Sequence, residues 1–427
     1  MRGLAALLVP AAVASTATGA RGLMASGRAT VSQANGGRPY DSATLPPGIR
    51  SRFVRNVNGI TMHVLEAGFD AGDRPGVLLL HGFPELAFSW RKVMPPLASA
   101  GYHVFAPDLR GYGRTDGTDV TYDDGLGPYL LANRVADMVA LVSGFGYRSV
   151  DVVGHDFGSP VAAWCAVVRP DIFRSVVLMS APFGGTPSVP FDTAQAPPGV
   201  SPSAPTRGAI QAELAAVDPP RKHYQWYYST RDADENMWHA SQGVHAFLRA
   251  YYHMKSGDWE TNRPYRLDAW TGRELAKMPH YYIMERDKGM AETVAAEMPS
   301  AAEISACEWL PDDELRVYST EYRRTGFQGG LNSYRVGTTG LNTDFQRAFA
   351  GRTIDQPSLF IAGKRDWGVY QRPGAVEAME RSACTDMRGV HLLDGAGHWV
   401  QQEQAAEVSR LLVEFLQDRG GIRGGIQ

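Results

Sequence analysis

"VVGHDFGSP", residues 152–160, is the stretch from which the rest of the chain can be read. Two valines close an apolar run of the kind a buried strand needs. Gly154 and Gly158 then bracket Asp156, and the residues after Gly158 continue as a helix. Small residues on both sides of one polar side chain describe a sharp strand-to-helix turn, where a larger side chain would meet the adjacent strand or helix. The turn exposes Asp156 at its tip. The helix behind it aims its positive end there, which keeps a carboxylate ionised and stabilises a developing anion. Alone, the motif also fits an N-cap aspartate on an ordinary helix. The remainder of the chain has to decide between the two.

The chain has 427 residues, 44% hydrophobic and 20% charged, with a net charge of −3. That balance gives no electrostatic reason to expect nucleic acid or an anionic membrane as partner. No apolar run reaches the length needed to cross a bilayer, so stable membrane insertion is not expected. Cys165, Cys307 and Cys384 are few, odd in number and far apart. They imply neither a disulfide framework nor a zinc site, and read as buried free thiols. Residues 1–48 stand apart. "LAALLVPAAVAS" (4–15) follows Arg2, and no acidic residue precedes Asp41. A cleaved signal, a transit peptide and a true start at Met24 all fit, so cytoplasmic residence and export through residues 1–30 both stay open. This segment is expected to be a leader or disordered.

From Arg52 the pattern is regular. "FVRNVNGITMHVLEAG" alternates around Asn58-Gly59, a hairpin signal. "GVLLLHG" (76–82) reads as a strand buried on both faces. A helix over 85–99 interrupted by Pro95-Pro96, "YHVFAPDLRGYG" (102–113) as a strand running into a Gly-rich loop, and a helix over 129–145 follow. "SVDVVG", a helix over 158–168 and "SVVLMS" (175–180) continue the alternation. Strands alternating with helices predict an α/β fold, a mostly parallel sheet covered on both faces. After Pro182 the rhythm stops. A Pro-, Gly- and Ser-rich stretch leads into an aromatic-rich, helical block with no clear strand. The α/β pattern returns at "PSLFIAGKRD" (357–366) and "GVHLLDGAGH" (389–398), and a final helix spans 402–417. The expected organisation is a core from 49–182 and 352–420, with 183–351 inserted as a linker and helical cap.

Two further strand ends carry polar residues. "AGKRDWG" (362–368) places Asp366, and "GAGHWVQQE" (395–403) places His398 in a Gly-rich loop before a helix. Nucleophile, acid and histidine in the order 156, 366, 398 is the order of an α/β-hydrolase triad. Asp394 is a nearby rival for the acid. "HGFPE" (81–85) follows another strand end, where this fold takes one backbone donor of its oxyanion hole; the N–H groups of Phe83 and Phe157 are the expected pair.

With these motifs in place, the chain resembles the soluble epoxide hydrolases of the α/β-hydrolase fold. "HGFPELAFSW", "APDLRGYG" and "GHDFG" are similar to that family's strand-end motifs, and "HYQWYY" (223–228) and "TGFQGGLNSYR" (325–335) to its cap motifs. The likeness covers roughly residues 50–418. It implies that Tyr334 and Tyr224 are the two phenols that bind the epoxide oxygen, with Tyr227 and Tyr228 as rivals for the second role. It implies an epoxide and water as substrates and no cofactor or metal. His81, Pro84, Trp226, Tyr227 and Trp399 are the expected substrate-binding residues. The separation from Asp156 to Asp366, 366 − 156 = 210 residues, is long for the family, and the stretches 187–220 and 257–300 look like the additions. Phe157 stands where Trp is common.

The residue types suit the chemistry. Ring strain lets a carboxylate attack an epoxide carbon, and the product is an ester. A phenol can donate to the alkoxide as it forms. Histidine and water can cleave an ester on aspartate, but not the ether that a serine would form. The alternatives are a haloalkane or haloacid dehalogenase of the same fold and a non-catalytic ligand-binding relative. A dehalogenase needs donors for the departing halide, and the Phe157 side chain has no N–H.

Overall fold

Asn58 and Gly59 take positive φ values of 47° and 81°, the conformation a two-residue hairpin turn requires. They join β1 (Ile49–Val57) to β2 (Ile60–Ala67) as an antiparallel pair. The computed structural model describes residues 38–70, 72–189 and 207–418. In it β3 (Gly76–Leu80), β4 (His103–Pro107), β5 (Val150–His155), β6 (Phe173–Met179), β7 (Ser358–Gly363) and β8 (Met387–Leu393) extend the hairpin. The resulting eight-stranded sheet has the order β1-β2-β4-β3-β5-β6-β7-β8. β2 runs antiparallel to β4, and every pair from β4 to β8 is parallel. Every residue of β3, β5 and β7 is buried. Burial on both faces is why these strands read as unbroken apolar runs.

Helices α1 (Leu131–Gly144) and α2 (Gly158–Val168) pack on the sheet. Between β6 and β7 the chain leaves it and forms α3 (Gly243–Lys255), α4 (Asp312–Thr325) and α5 (Gln328–Thr339) among shorter turns. Helix α6 (Ala405–Asp418) ends the described chain and buries Val408, Leu411, Leu412 and Phe415 along one stripe. The C-terminal ends of β3, β5, β6, β7 and β8 all point to one edge. In open α/β sheets the site forms at that edge.

Some details differ from the sequence reading. The helix expected over 85–99 is a 3₁₀ turn, Ala87–Trp90, followed by a short helix, Met94–Ser99. Pro95 and Pro96 start the second piece, where a missing N–H costs nothing. The inserted block holds a small antiparallel ribbon, Arg221–His223 with Ile283–Glu285. Three residues per strand are too few to leave a periodic signal. Residues 38–48, assigned to the leader, pack on the core: Tyr40 and Leu45 are buried, and the Tyr40 N–H donates to Ser51 Oγ at 2.9 Å. The apolar run at 4–15 and the Pro-rich residues 190–206 lie outside the described residues. Cys165, Cys307 and Cys384 are free thiols, Cys307 only half-buried. Among the described residues no helix is long and apolar enough to cross a membrane.

Candidate active site

Asp156 follows the last residue of β5 with φ +50°, a left-handed conformation that a non-glycine residue adopts only when its surroundings impose it. Its neighbours show how. A Cβ on Gly154 would lie 2.1 Å from the Gly158 carbonyl oxygen, and one on Gly158 would lie 2.2 Å from that of Leu80. Backbone therefore packs on backbone at both glycines. Gly158→Ala is expected to destabilise the protein by about 3 kcal/mol, since the β3 end has to move. Thermal unfolding of the variant measures this, and an unchanged Tm would show that the elbow can relax.

The turn holds Asp156 with Oδ1 accepting the Phe83 N–H at 2.9 Å. The Phe157 N–H makes no hydrogen bond among the described residues. Of the two expected backbone donors, that of Phe83 therefore already lies on the Asp156 carboxylate, and that of Phe157, the next residue in the chain, is left without a partner among the described residues.

β7 and β8 end beside each other, and their loops supply the other two groups. His398 Nδ1 lies 3.2 Å from Asp366 Oδ1, and Nε2 lies 3.4 Å from Asp156 Oδ2. Asp366 Oδ1 also accepts the Gly368 N–H at 2.7 Å. The rival, Asp394, is 85% exposed and pairs with Lys364. Burial alone would raise the Asp156 carboxyl, but the His398 hydrogen bond and charge, then the Lys255 charge, hold it well below the usual carboxylate range. Burial and Lys255 push His398 down, while Asp366 and Asp156 push it up further, so it ends above the ordinary histidine value.

The sequence reading missed three residues here. Ser180, at the end of β6 with φ +68°, donates its hydroxyl proton to Asp366 Oδ2 and lies 2.8 Å from His398 Nδ1. It bridges acid and histidine. Glu403 accepts the N–H groups of Gly397 (2.9 Å), Trp399 (2.8 Å) and Gly257 (2.6 Å). One carboxylate thus ties both sides of His398 to the inserted helices, and burial pushes its carboxyl up to about 8. Glu85, the last residue of "HGFPE", accepts from His155 Nδ1 at 2.6 Å and from Gln401 at 2.7 Å. His155 Nε2 meets the His398 carbonyl at 2.7 Å. Only Glu85 and Glu403 left a trace, as acids inside motifs already singled out.

The two tyrosines descend from the other side. Tyr224 opens the short turn Tyr224–Tyr228 and Tyr334 lies on α5. Both are buried, with ring centroids 5.8 Å apart. The Tyr334 ring stands edge-on to Phe157 at 4.5 Å and to Phe83 at 5.4 Å. Burial, with Asp156 adding to it, raises both phenols, so each keeps its proton to donate. The Tyr224 hydroxyl donates to Gln371 Oε1 at 3.0 Å and accepts from Gln225 at 3.2 Å. Of the rivals, Tyr228 turns its hydroxyl to that of Tyr251 at 3.4 Å. Tyr227 lies under the Lys222 ammonium at 4.5 Å.

The expected substrate-binding residues are mostly committed elsewhere. His81 Nε2 accepts the Leu109 N–H at 3.0 Å and Nδ1 donates to the Gly82 carbonyl at 2.8 Å, so this buried ring fastens two loops. The Pro84 carbonyl accepts the Tyr252 hydroxyl at 3.0 Å. Trp226 packs on His223 at 4.9 Å and the Arg207 guanidinium at 5.4 Å, two residues round the turn from Tyr224 and therefore on its other side. Tyr227 faces Lys222, as above. Trp399 is buried against Tyr252 at 4.3 Å, with Nε1 donating to the Tyr252 carbonyl. A cavity of about 560 Å³ instead opens beside Phe157, with Pro160, Phe183, Ser333, Arg134 and Arg372 in its walls. Among the described residues no group of three His, Cys, Asp or Glu side chains is placed to hold a metal ion.

Comparison with known proteins adds independent findings. The sequence model of the alpha/beta hydrolase fold matches residues 75–269, which takes in Asp156 but ends before Asp366 and His398. Epoxide hydrolase B of Mycobacterium tuberculosis is 31% identical over 379 residues, 87% of this chain and 98% of the relative. Epoxide hydrolase A of the same organism is 33% identical over 372 residues, 86% of this chain and 98% of the relative. Among solved structures, an epoxide hydrolase from an endophytic Streptomyces superposes with a TM-score of 0.66 at 31% identity, covering 87% of this chain and 96% of that one.

Proposed function

The chain belongs to the epoxide hydrolases of the α/β-hydrolase fold, and from that premise we propose that it turns an epoxide into a vicinal diol through an ester on Asp156. The observation that carries the reading is the arrangement about this carboxylate. A backbone N–H lies on one oxygen, a histidine nitrogen lies 3.4 Å from the other, and a pair of buried phenols from the inserted helices, Tyr334 and Tyr224, packs over Phe83 and Phe157 through Tyr334. Those helices, in this reading, are the cap. The substrate enters by the cavity beside Phe157.

In the first step an Asp156 oxygen bonds to one epoxide carbon as that carbon's bond to the ring oxygen breaks. The ring oxygen takes the electron pair and then a proton from Tyr334 or Tyr224. In the second, His398 takes a proton from water and the hydroxide adds to the ester carbonyl carbon. The oxyanion draws on the N–H groups of Phe83 and Phe157. The bond between that carbon and the alcohol oxygen then breaks, and the alcohol leaves with the proton from His398. The proton remaining on the carboxyl returns through His398 and solvent to the tyrosinate. Asp366 and Ser180 keep the imidazole oriented throughout. Phe157, packed edge-on against Tyr334, offers no side-chain N–H to a departing halide. That speaks against the dehalogenase alternative.

The test is a single turnover with enzyme in excess in ¹⁸O-water. Attack at the acyl carbon puts a former Asp156 oxygen into the diol and a water oxygen into Asp156. The first diol is expected to be unlabelled and the peptide 152–160 labelled. Label in the first diol with none in that peptide would mean direct attack of water on the epoxide, and would reduce Asp156 to an orienting role.

A further inference from the structure

Lys255 is the last residue of α3 and is 3% exposed. A lysine this deep ordinarily has a partner. Among the described residues no carboxylate lies within ion-pair distance of its ammonium, and no hydrogen bond from it is found. Four buried rings surround it, with centroids at 5.1 Å (Tyr282), 5.3 Å (Tyr251), 5.3 Å (Trp399) and 6.0 Å (Tyr281). Ring faces attract a cation without neutralising it. They therefore favour the ammonium form, against the burial that lowers this lysine overall.

The box adjoins the catalytic histidine. The Lys255 carbonyl accepts the His398 N–H at 2.8 Å. Trp399, one wall of the box, follows His398 in sequence and lies 4.7 Å from its ring. A Cβ on Gly397 would come within 2.4 Å of that same carbonyl, so the two segments are in backbone contact. The groups facing His398 can be named from every side. Asp156 and Asp366 are the anions and Ser180 is a neutral bridge; the Lys255 ammonium, which packs on the Trp399 ring beside His398, is the cation. His155 stands against the His398 carbonyl and is balanced by Glu85. Glu403 holds the flanking N–H groups.

This set of charges changes during the proposed reaction. In the free enzyme two carboxylates and one ammonium lie around the imidazole. Once Asp156 is an ester, one carboxylate opposes one ammonium. We propose that Lys255 is a positioning residue of the hydrolytic step: its charge offsets that of Asp366 at His398 after Asp156 has been esterified, leaving the imidazole neutral and able to take a proton from water. Without it Asp366 would face His398 alone and favour the imidazolium, which cannot act as a base. Lys255 pushes His398 downward and Asp366 pushes it upward, in keeping with this role. The burial that lowers the lysine itself is opposed by Asp156, Asp366 and Glu85, which favour its charged form.

The inference rests on the covalent reading, and the experiment separates the two. The full chain and its Lys255→Met and Lys255→Arg variants are mixed in excess with styrene oxide, and the ester on Asp156 is followed by intact mass across the range where histidine titrates. In Lys255→Met the acidic limb of ester hydrolysis is expected to move up by about one pH unit, with ester accumulating below it, while ester formation changes less than about threefold. Lys255→Arg is expected to restore the limb, since arginine keeps the charge. If Lys255→Met does not fold, Lys255→Gln carries the same comparison. An ester that forms but hydrolyses with an unmoved limb overturns the Lys255 role alone. So does an equal shift in the methionine and arginine variants, which would mark a packing role. No ester in any variant overturns the covalent reading and this inference together.

Discussion

His398→Gln is expected to alkylate and then stop. Ester formation needs the Asp156 carboxylate, held ionised at the elbow and hydrogen-bonded to the Phe83 N–H. It needs no base. Hydrolysis does need one, and His398 Nε2, 3.4 Å from Asp156 Oδ2, is the group placed to take the proton from water. Glutamine fills similar space and cannot take that proton. Loss of a general base costs about 10²–10⁴-fold, so the ester should outlast the experiment. Intact-protein mass is expected to rise by the mass of the epoxide, on the peptide containing Asp156. The imidazolium also helps hold Asp156 ionised, so a modest slowing of alkylation is expected as well. A variant with neither adduct nor turnover would show that His398 acts in the first step.

Tyr224→Phe with Tyr334→Phe is expected to nearly abolish ring opening, and therefore the adduct itself. Each hydroxyl given to a developing alkoxide contributes about 2–4 kcal/mol. With one phenol remaining the loss is partial. The two singles are not expected to be equal. The Tyr224 hydroxyl is donated to Gln371 at 3.0 Å and must leave that acceptor to serve the substrate. No such acceptor is found for Tyr334 among the described residues, so Tyr334→Phe should cost more. Both rings are packed edge-on against neighbours, and phenylalanine keeps those contacts. The measurement is the pre-steady-state rate of ester formation for the singles and the double. Wild-type ester formation by the double variant would remove both tyrosines from the proposed mechanism.

The fold class and the placing of Asp156, Asp366 and His398 could be read in the chain because each depends on local pattern. Buried parallel strands leave continuous apolar runs, and the candidate catalytic groups sit at the strand ends where those runs stop. Gly154 and Gly158 were legible for the same reason: the turn demands them within five residues of sequence. The small ribbon was not, being too short for a period, and of the split helix only the interruption was legible: the prolines begin its second piece instead of breaking it where they stand.

Within the site, sequence and tertiary structure divide along one physical line. The sequence by itself determined which residue types stand at the ends of strands, since strand, turn and helix signals are local. What these side chains meet across the fold was decided by tertiary structure alone. Asp366 rather than Asp394 reaches His398 because one is buried against Ser180 and the Gly368 N–H and the other points to solvent. Tyr224 rather than Tyr227 shares a side with Tyr334 because of the turn's rotation. His81 and Trp399, which looked like substrate contacts, are consumed by backbone hydrogen bonds from distant segments. Ser180 and Lys255 carry no local signature at all, and Glu403 shows only as an acid at the end of the histidine's own motif. Each acts on His398 from a segment remote in sequence or through backbone groups, and such contacts exist only after the sheet has brought its strand ends together beneath the inserted helices.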